Sequence, residues 1–118
     1  MRDACDASRR QGREICGLLV DTGFALSFVS VPNASRRGGS FIFSKPDVRR
    51  ISAAAATLGQ QVVGTFHAHP VADATPGESD IRNTFDDSLM FIFDCADRKG
   101  RLWRIKRQKA KELKFRVS

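Results

Sequence analysis

The sequence predicts an α/β (α+β) fold, a mixed β-sheet flanked by helices. Apolar runs of strand length stand at 15–20 and 89–93, with a further strand candidate at 61–66. Between them lie one stretch with apolar residues three and four positions apart and one capped helix start, near 75–78. With 118 residues, the chain is read as a single domain, 1–118.

The elements follow in order. Asp3 to Gly12 is polar and reads as a short first helix. Ile15 to Val20 is continuously apolar, as in a strand covered on both faces. Asp21-Thr22-Gly23 is a turn signal, and Phe24 to Val31 reads as its hairpin partner. Pro32 to Ser40 is a loop, and Phe41 to Phe43 a short strand. Pro46 suits a first helical turn; Val48, Ile51, Ala55 and Leu58 then form one apolar stripe, which Gly59 ends. Gln61 to Phe66 is the next strand. Thr75-Pro76-Gly77-Glu78 has the form of an N-cap, a proline at the first helical position and a glutamate at the third. Leu89 to Phe93 is a buried strand, and residues 97–100 turn the chain into Leu102 to Arg107. Leu113, Phe115 and Val117 alternate with charges as a last strand. Trp103 and the phenylalanines are assigned to the core.

Composition excludes several classes of function. No apolar run is long enough to span a bilayer, and the stretch MRDACDASRRQG lacks the apolar centre of a secretory signal. Three cysteines without a CxxC pair argue against a disulfide framework or a cysteine zinc site, and point to a reducing cytoplasm. Cys16 and Cys95 are read as small core residues. The formal charge of +7 is concentrated at one end: residues 98–118 hold ten basic side chains and one acid, Glu112. Such a segment attracts an acidic protein, nucleic acid or an anionic surface, or acts as a solvated edge that discourages aggregation.

The only two histidines stand together in His67-Ala68-His69-Pro70. On a strand, residues i and i+2 share a side, so both imidazoles can converge on one point. A catalytic zinc needs a third ligand, and Asp73, Glu78 and Asp80 are the carboxylates that follow. Asp73 falls in a loop, whereas Asp80 falls inside the helix that begins near Thr75, where packing would fix it more rigidly. Two histidines, one carboxylate and an open position suit a hydrolytic zinc site, which also needs a base. Glu14, at the mouth of the first buried strand, is the candidate.

These residues resemble the JAMM (MPN-plus, JAB-domain) zinc metallopeptidases, in the short prokaryotic form. The resemblance spans residues 10–107 and is carried by Glu14 before Ile15-Cys16-Gly17-Leu18-Leu19, by Asn33, by Val62 to Phe66 leading into His67-Ala68-His69-Pro70, and by Asp80. It implies a fold similar to cytidine deaminases. It implies one zinc per chain on His67, His69 and Asp80, with Glu14 deprotonating the zinc-bound water for attack on an amide or isopeptide carbonyl. The implied substrate is a bond near the C-terminus of a small ubiquitin-like or sulfur-carrier protein, and the basic segment 98–118 would favour an acidic one.

One position departs from the family. Its serine, three residues before the metal-binding aspartate, is Gly77 here. The resemblance implies that this hydroxyl stabilises the tetrahedral intermediate, and losing such a donor costs about 10²–10³ in turnover. An impaired, zinc-binding interaction module is therefore the alternative to an active hydrolase. Nucleic-acid binding through residues 98–118 is the third reading.

Overall fold

The computed structural model describes residues 15–34, 43–69, 76–82, 84–95 and 98–116, with the side chains of His69, Glu78 and Ser79 excepted. The expected helix at 3–12 and strand residues Phe41 and Ile42 lie outside them. The described elements are β1 (Cys16–Asp21), β2 (Leu26–Val31), α1 (Lys45–Thr57), β3 (Gln61–His69), α2 (Glu78–Arg82), β4 (Ser88–Asp94), β5 (Lys99–Lys106) and β6 (Lys109–Leu113). The strands form one mixed sheet in the order β2-β1-β3-β4-β5-β6. Only β3 and β4 run parallel; every other neighbouring pair is antiparallel.

Strand alternation divides the core between the two faces. On one, Leu18, Val31 and Ile51 pack with Val48 and Val62, and Met90, Ile92 and Ile105 pack with Ile81. This face therefore lies under both helices. On the other, Leu19, Phe66, Phe91 and Leu102 form a second cluster. The continuous apolar run of β1 is explained by this arrangement, since Cys16 to Val20 are all buried.

Helix α1 starts at a reciprocal cap. The Ser44 hydroxyl accepts from the Asp47 N–H at 3.3 Å and donates to Asp47 Oδ2 at 2.7 Å. Pro46 occupies the first turn, as expected. Gly59 follows with φ of 69°, a conformation that glycine adopts without penalty. Leu58, however, is the C-cap residue and is exposed, so the apolar stripe ends at Ala55. A second glycine is required by packing: a Cβ on Gly64 would run into the backbone carbonyl of Leu89 on the neighbouring strand.

Several expectations need correction. The last strand is β6, ending at Leu113, so Phe115 lies beyond it and packs its ring on Phe91 instead. The hairpin that makes this so turns at Arg107 and Gln108, both at positive φ (53° and 60°). Neither is a residue that signals such a turn. Phe24 belongs to the β1–β2 turn and is 99% exposed, while Phe28, Phe85 and Phe115 are also exposed, so the phenylalanines are only partly core. Phe43 is not in a strand but packs on the Leu18 cluster. Cys16 is buried as expected, its thiol 3.6 Å from the Val31 carbonyl, whereas Cys95 is buried and disulfide-bonded. No described helix is long and apolar enough to cross a membrane.

Candidate metal centre

Strand β3 extends three residues beyond its expected end and carries the histidines with it. Its last turns are gripped from both sides. Cys16 and Ile92 flank His67 in register, and His69 pairs with Asp94. The Ala68 N–H donates to the Ile15 carbonyl at 2.9 Å. The residue between the two histidines is thus bonded to the residue that directly follows Glu14. Glu14 itself and Asp73 lie outside the described residues, and for His69 the backbone alone is described.

His67 is fully buried on the helix-covered face, and Asp80 is 5% exposed. Asp80 comes from α2, whose start differs from the expected one. The Ile81 N–H donates to the Gly77 carbonyl at 3.1 Å, and the Gly77 N–H donates to Asp80 Oδ2 at 2.8 Å. Gly77 is therefore the N-cap, and Asp80 is the acid of a capping box that reaches back to it. The cap lies two residues later than Thr75, because Gly77-Glu78-Ser79-Asp80 carries the same spacing of cap and acid. This bond orients the carboxylate, and Ile81, the next residue, anchors the short helix on Met90 and Ile92.

The result is a separation of 3.4 Å between His67 Nε2 and Asp80 Oδ2. That is longer than a well-formed N–H···O bond, about 2.7–3.2 Å. It matches the edge of a tetrahedral site, since two ligands each about 2.0–2.1 Å from zinc stand about 3.3 Å apart. The donor set is also chemically apt, an imidazole nitrogen and a carboxylate oxygen already hydrogen-bonded from behind. These two residues fit a zinc ion. Among the described residues no group of three ligand-type side chains is assembled; the third predicted ligand, the His69 side chain, and the predicted base, Glu14, lie outside them.

Asp94 and Thr65, both near the site, escaped the sequence reading. Asp94 is buried, and it stands opposite His69 in the β3–β4 register. Its only signal was an acid directly after a buried strand. Cys95 follows it and packs against Ala68, so the bridged cysteine adjoins the histidine strand. Thr65 shares the sheet face of His67, and its buried Oγ1 has no hydrogen-bond partner among the described residues.

A family model describing prokaryotic homologs of the JAB domain matches residues 4–106. The chain belongs to the prokaryotic JAB-domain family. This JAB-domain chain is also similar in fold to a solved solution structure, the protein DSY2949 from Desulfitobacterium hafniense. The TM-score is 0.74 at 22% identity, over 96% of this chain and 84% of that one. No curated protein matches the sequence. The family extends through the His67–Asp80 pair and both flanking strands, and includes metallopeptidases.

Proposed function

We propose that this JAB-domain protein is a zinc-dependent peptidase or isopeptidase acting near the C-terminus of a small acidic ubiquitin-like or sulfur-carrier protein. The observation that carries the reading is the 3.4 Å approach of His67 Nε2 to an Asp80 carboxylate already oriented by the Gly77 N–H. His67, His69 and Asp80 would hold one zinc ion per chain. When bound, the ion supplies Lewis acidity, polarising a carbonyl and making water a nucleophile at neutral pH. Glu14 would take the proton from the attacking water and pass it to the leaving amine.

Gly77 favours a second reading, an impaired enzyme that serves as a zinc-binding interaction module. Its N–H is committed to Asp80 and is not free to replace the family's hydroxyl as a donor to the developing oxyanion. A side chain is tolerated there, because a Cβ at position 77 would stand 3.5 Å from Asp80 Oδ2, an ordinary contact. Gly77→Ser should therefore fold unchanged.

The two readings separate in one assay. The zinc-loaded protein is incubated with an acidic ubiquitin-fold protein bearing a C-terminal peptide extension, and the products are weighed by mass spectrometry. The peptidase reading expects cleavage at the tail, abolished in Glu14→Gln and faster by about 10²–10³ in Gly77→Ser. Zinc-loaded wild type and Gly77→Ser that are both inert would leave only the module reading.

A further inference from the structure

The sheet face turned away from both helices carries a charge pattern that works against folding. Residues in register across antiparallel strands share a face, and like charges set directly opposite are destabilising. In the β5–β6 hairpin two such pairs follow one another: Arg104 opposite Lys111, and Lys106 opposite Lys109. All four are exposed. Among the described residues, Asp87, 3.0 Å from Arg104, is the acid that meets this quartet. Glu112, the acid of the hairpin itself, falls on the alternate positions of β6 and pairs with Arg101 at 3.8 Å. Lysines on β6, the outer strand, also discourage edge-to-edge pairing, but Arg104 and Lys106 stand on β5, one strand in from that edge.

The quartet adjoins an apolar groove. Next along the hairpin on the same face is the Leu102–Leu113 pair. Beyond it opens a groove of about 840 Å³ walled by Phe28, Phe91, Phe93 and Phe115, with Arg98 and Arg116 among its lining. Phe28 and Phe115 are 40% and 45% exposed, and both meet Phe91 edge to face.

We propose that this face is a docking surface for an acidic protein, whose carboxylates meet Arg104, Lys106, Lys109 and Lys111 while an apolar side chain enters the groove. The cations form a compact block, about 5 Å across the strands and about 7 Å along them. Along the hairpin it stops at the apolar Leu102–Leu113 pair, which separates it from Arg98 and Arg116 at the groove, so the cations do not form one unbroken track of the kind a phosphate backbone follows. The surface is distinct from the metal centre. His67 is in register with Ile92, whereas Arg104 is in register with Leu89, three residues down β4, and Lys106 lies just past the Ser88–Ile105 pair, so the quartet stands about 10–17 Å along the sheet and on its opposite face. The inference is independent of the peptidase reading, since binding is measured without zinc or turnover.

The test uses the full chain and three fluorescent probes at low salt: an acidic peptide containing a leucine pair, the same peptide with serine for leucine, and oligothymidylate. The leucine peptide should bind most tightly, with the serine peptide and the oligonucleotide each weaker by about tenfold. The Lys109→Glu/Lys111→Glu chain should lose about tenfold in peptide affinity while melting no lower than wild type, since it replaces facing like charges with opposite ones. Lys109→Gln/Lys111→Gln gives the same reading without new charge. Oligothymidylate binding more tightly than the peptide would assign the face to nucleic acid and overturn the proposal. Peptide affinity indifferent to both double substitutions would overturn it too.

Discussion

Asp80 serves two neighbours through one oxygen, accepting from the Gly77 N–H at 2.8 Å and standing 3.4 Å from His67 Nε2. Removing it therefore costs a helix start and, on the proposed reading, a metal ligand. Thr65, on the same face of β3, is a contrasting case: a buried hydroxyl that the described residues leave without a partner. An unsatisfied buried group costs about 1–3 kcal/mol, and valine has nearly the same shape. Thr65→Val is thus expected to stabilise the protein by about 1 kcal/mol in urea unfolding, with metal binding unchanged. A loss of stability would mean that the hydroxyl has a partner of its own. The candidate ligands were legible because histidine is so scarce here that a spaced pair stands out. Asp94 was not legible, because one acid after an apolar run looks like an ordinary strand end, and only the pairing with β3 sets it beside His69.

At the level of elements, α1 and the β5–β6 hairpin show what local sequence can and cannot specify. The Ser44 cap, Pro46 and Gly59 all use side-chain or ring chemistry that acts within a turn, and the helix lies where they place it. Ser44→Ala should cost about 1 kcal/mol at neutral pH. The Ser44 hydroxyl holds the Asp47 carboxyl below its usual value, outweighing a partial desolvation, with Arg50 adding to it. A carboxylate depressed in the folded state stabilises above its ordinary titration range and loses that contribution as pH falls through its folded value. The gap in melting temperature between wild type and Ser44→Ala should accordingly narrow in acid. The β5–β6 turn had no such signature. Arg107 and Gln108 are both left-handed, and the turn is held from outside, by the Arg107 N–H donating to Asp86 Oδ1 at 2.6 Å. Register with β5 then shortens the last strand to Leu113, a tertiary effect that alternation of Leu113, Phe115 and Val117 could not reveal. Gln108→Gly relieves one left-handed side chain and should raise stability by about 1 kcal/mol in the same unfolding assay. An unchanged midpoint would show that the turn carries no strain.

For the whole molecule, the mixed sheet explains why the site lies where it does. β3 is central, parallel to β4 and antiparallel to β1, so the end of one strand meets the start of another beside the helix that supplies Asp80. The predicted class and most strands follow from apolar run lengths, which long-range pairing merely extends at their ends. The exposed aromatic groove and the opposed cations were hidden in the sequence, because which side of a strand faces solvent depends on where the helices pack. The Cys95 bridge was hidden as well, since cysteine count says nothing about proximity. The central claim is that ligands from β3 and α2 hold one metal ion, and elemental analysis of the purified protein tests it most directly. The account expects one zinc per chain in wild type, and none in His67→Ala or Asp80→Ala variants that retain the wild-type circular dichroism. A wild-type protein that stays metal-free after purification with zinc supplied would contradict it.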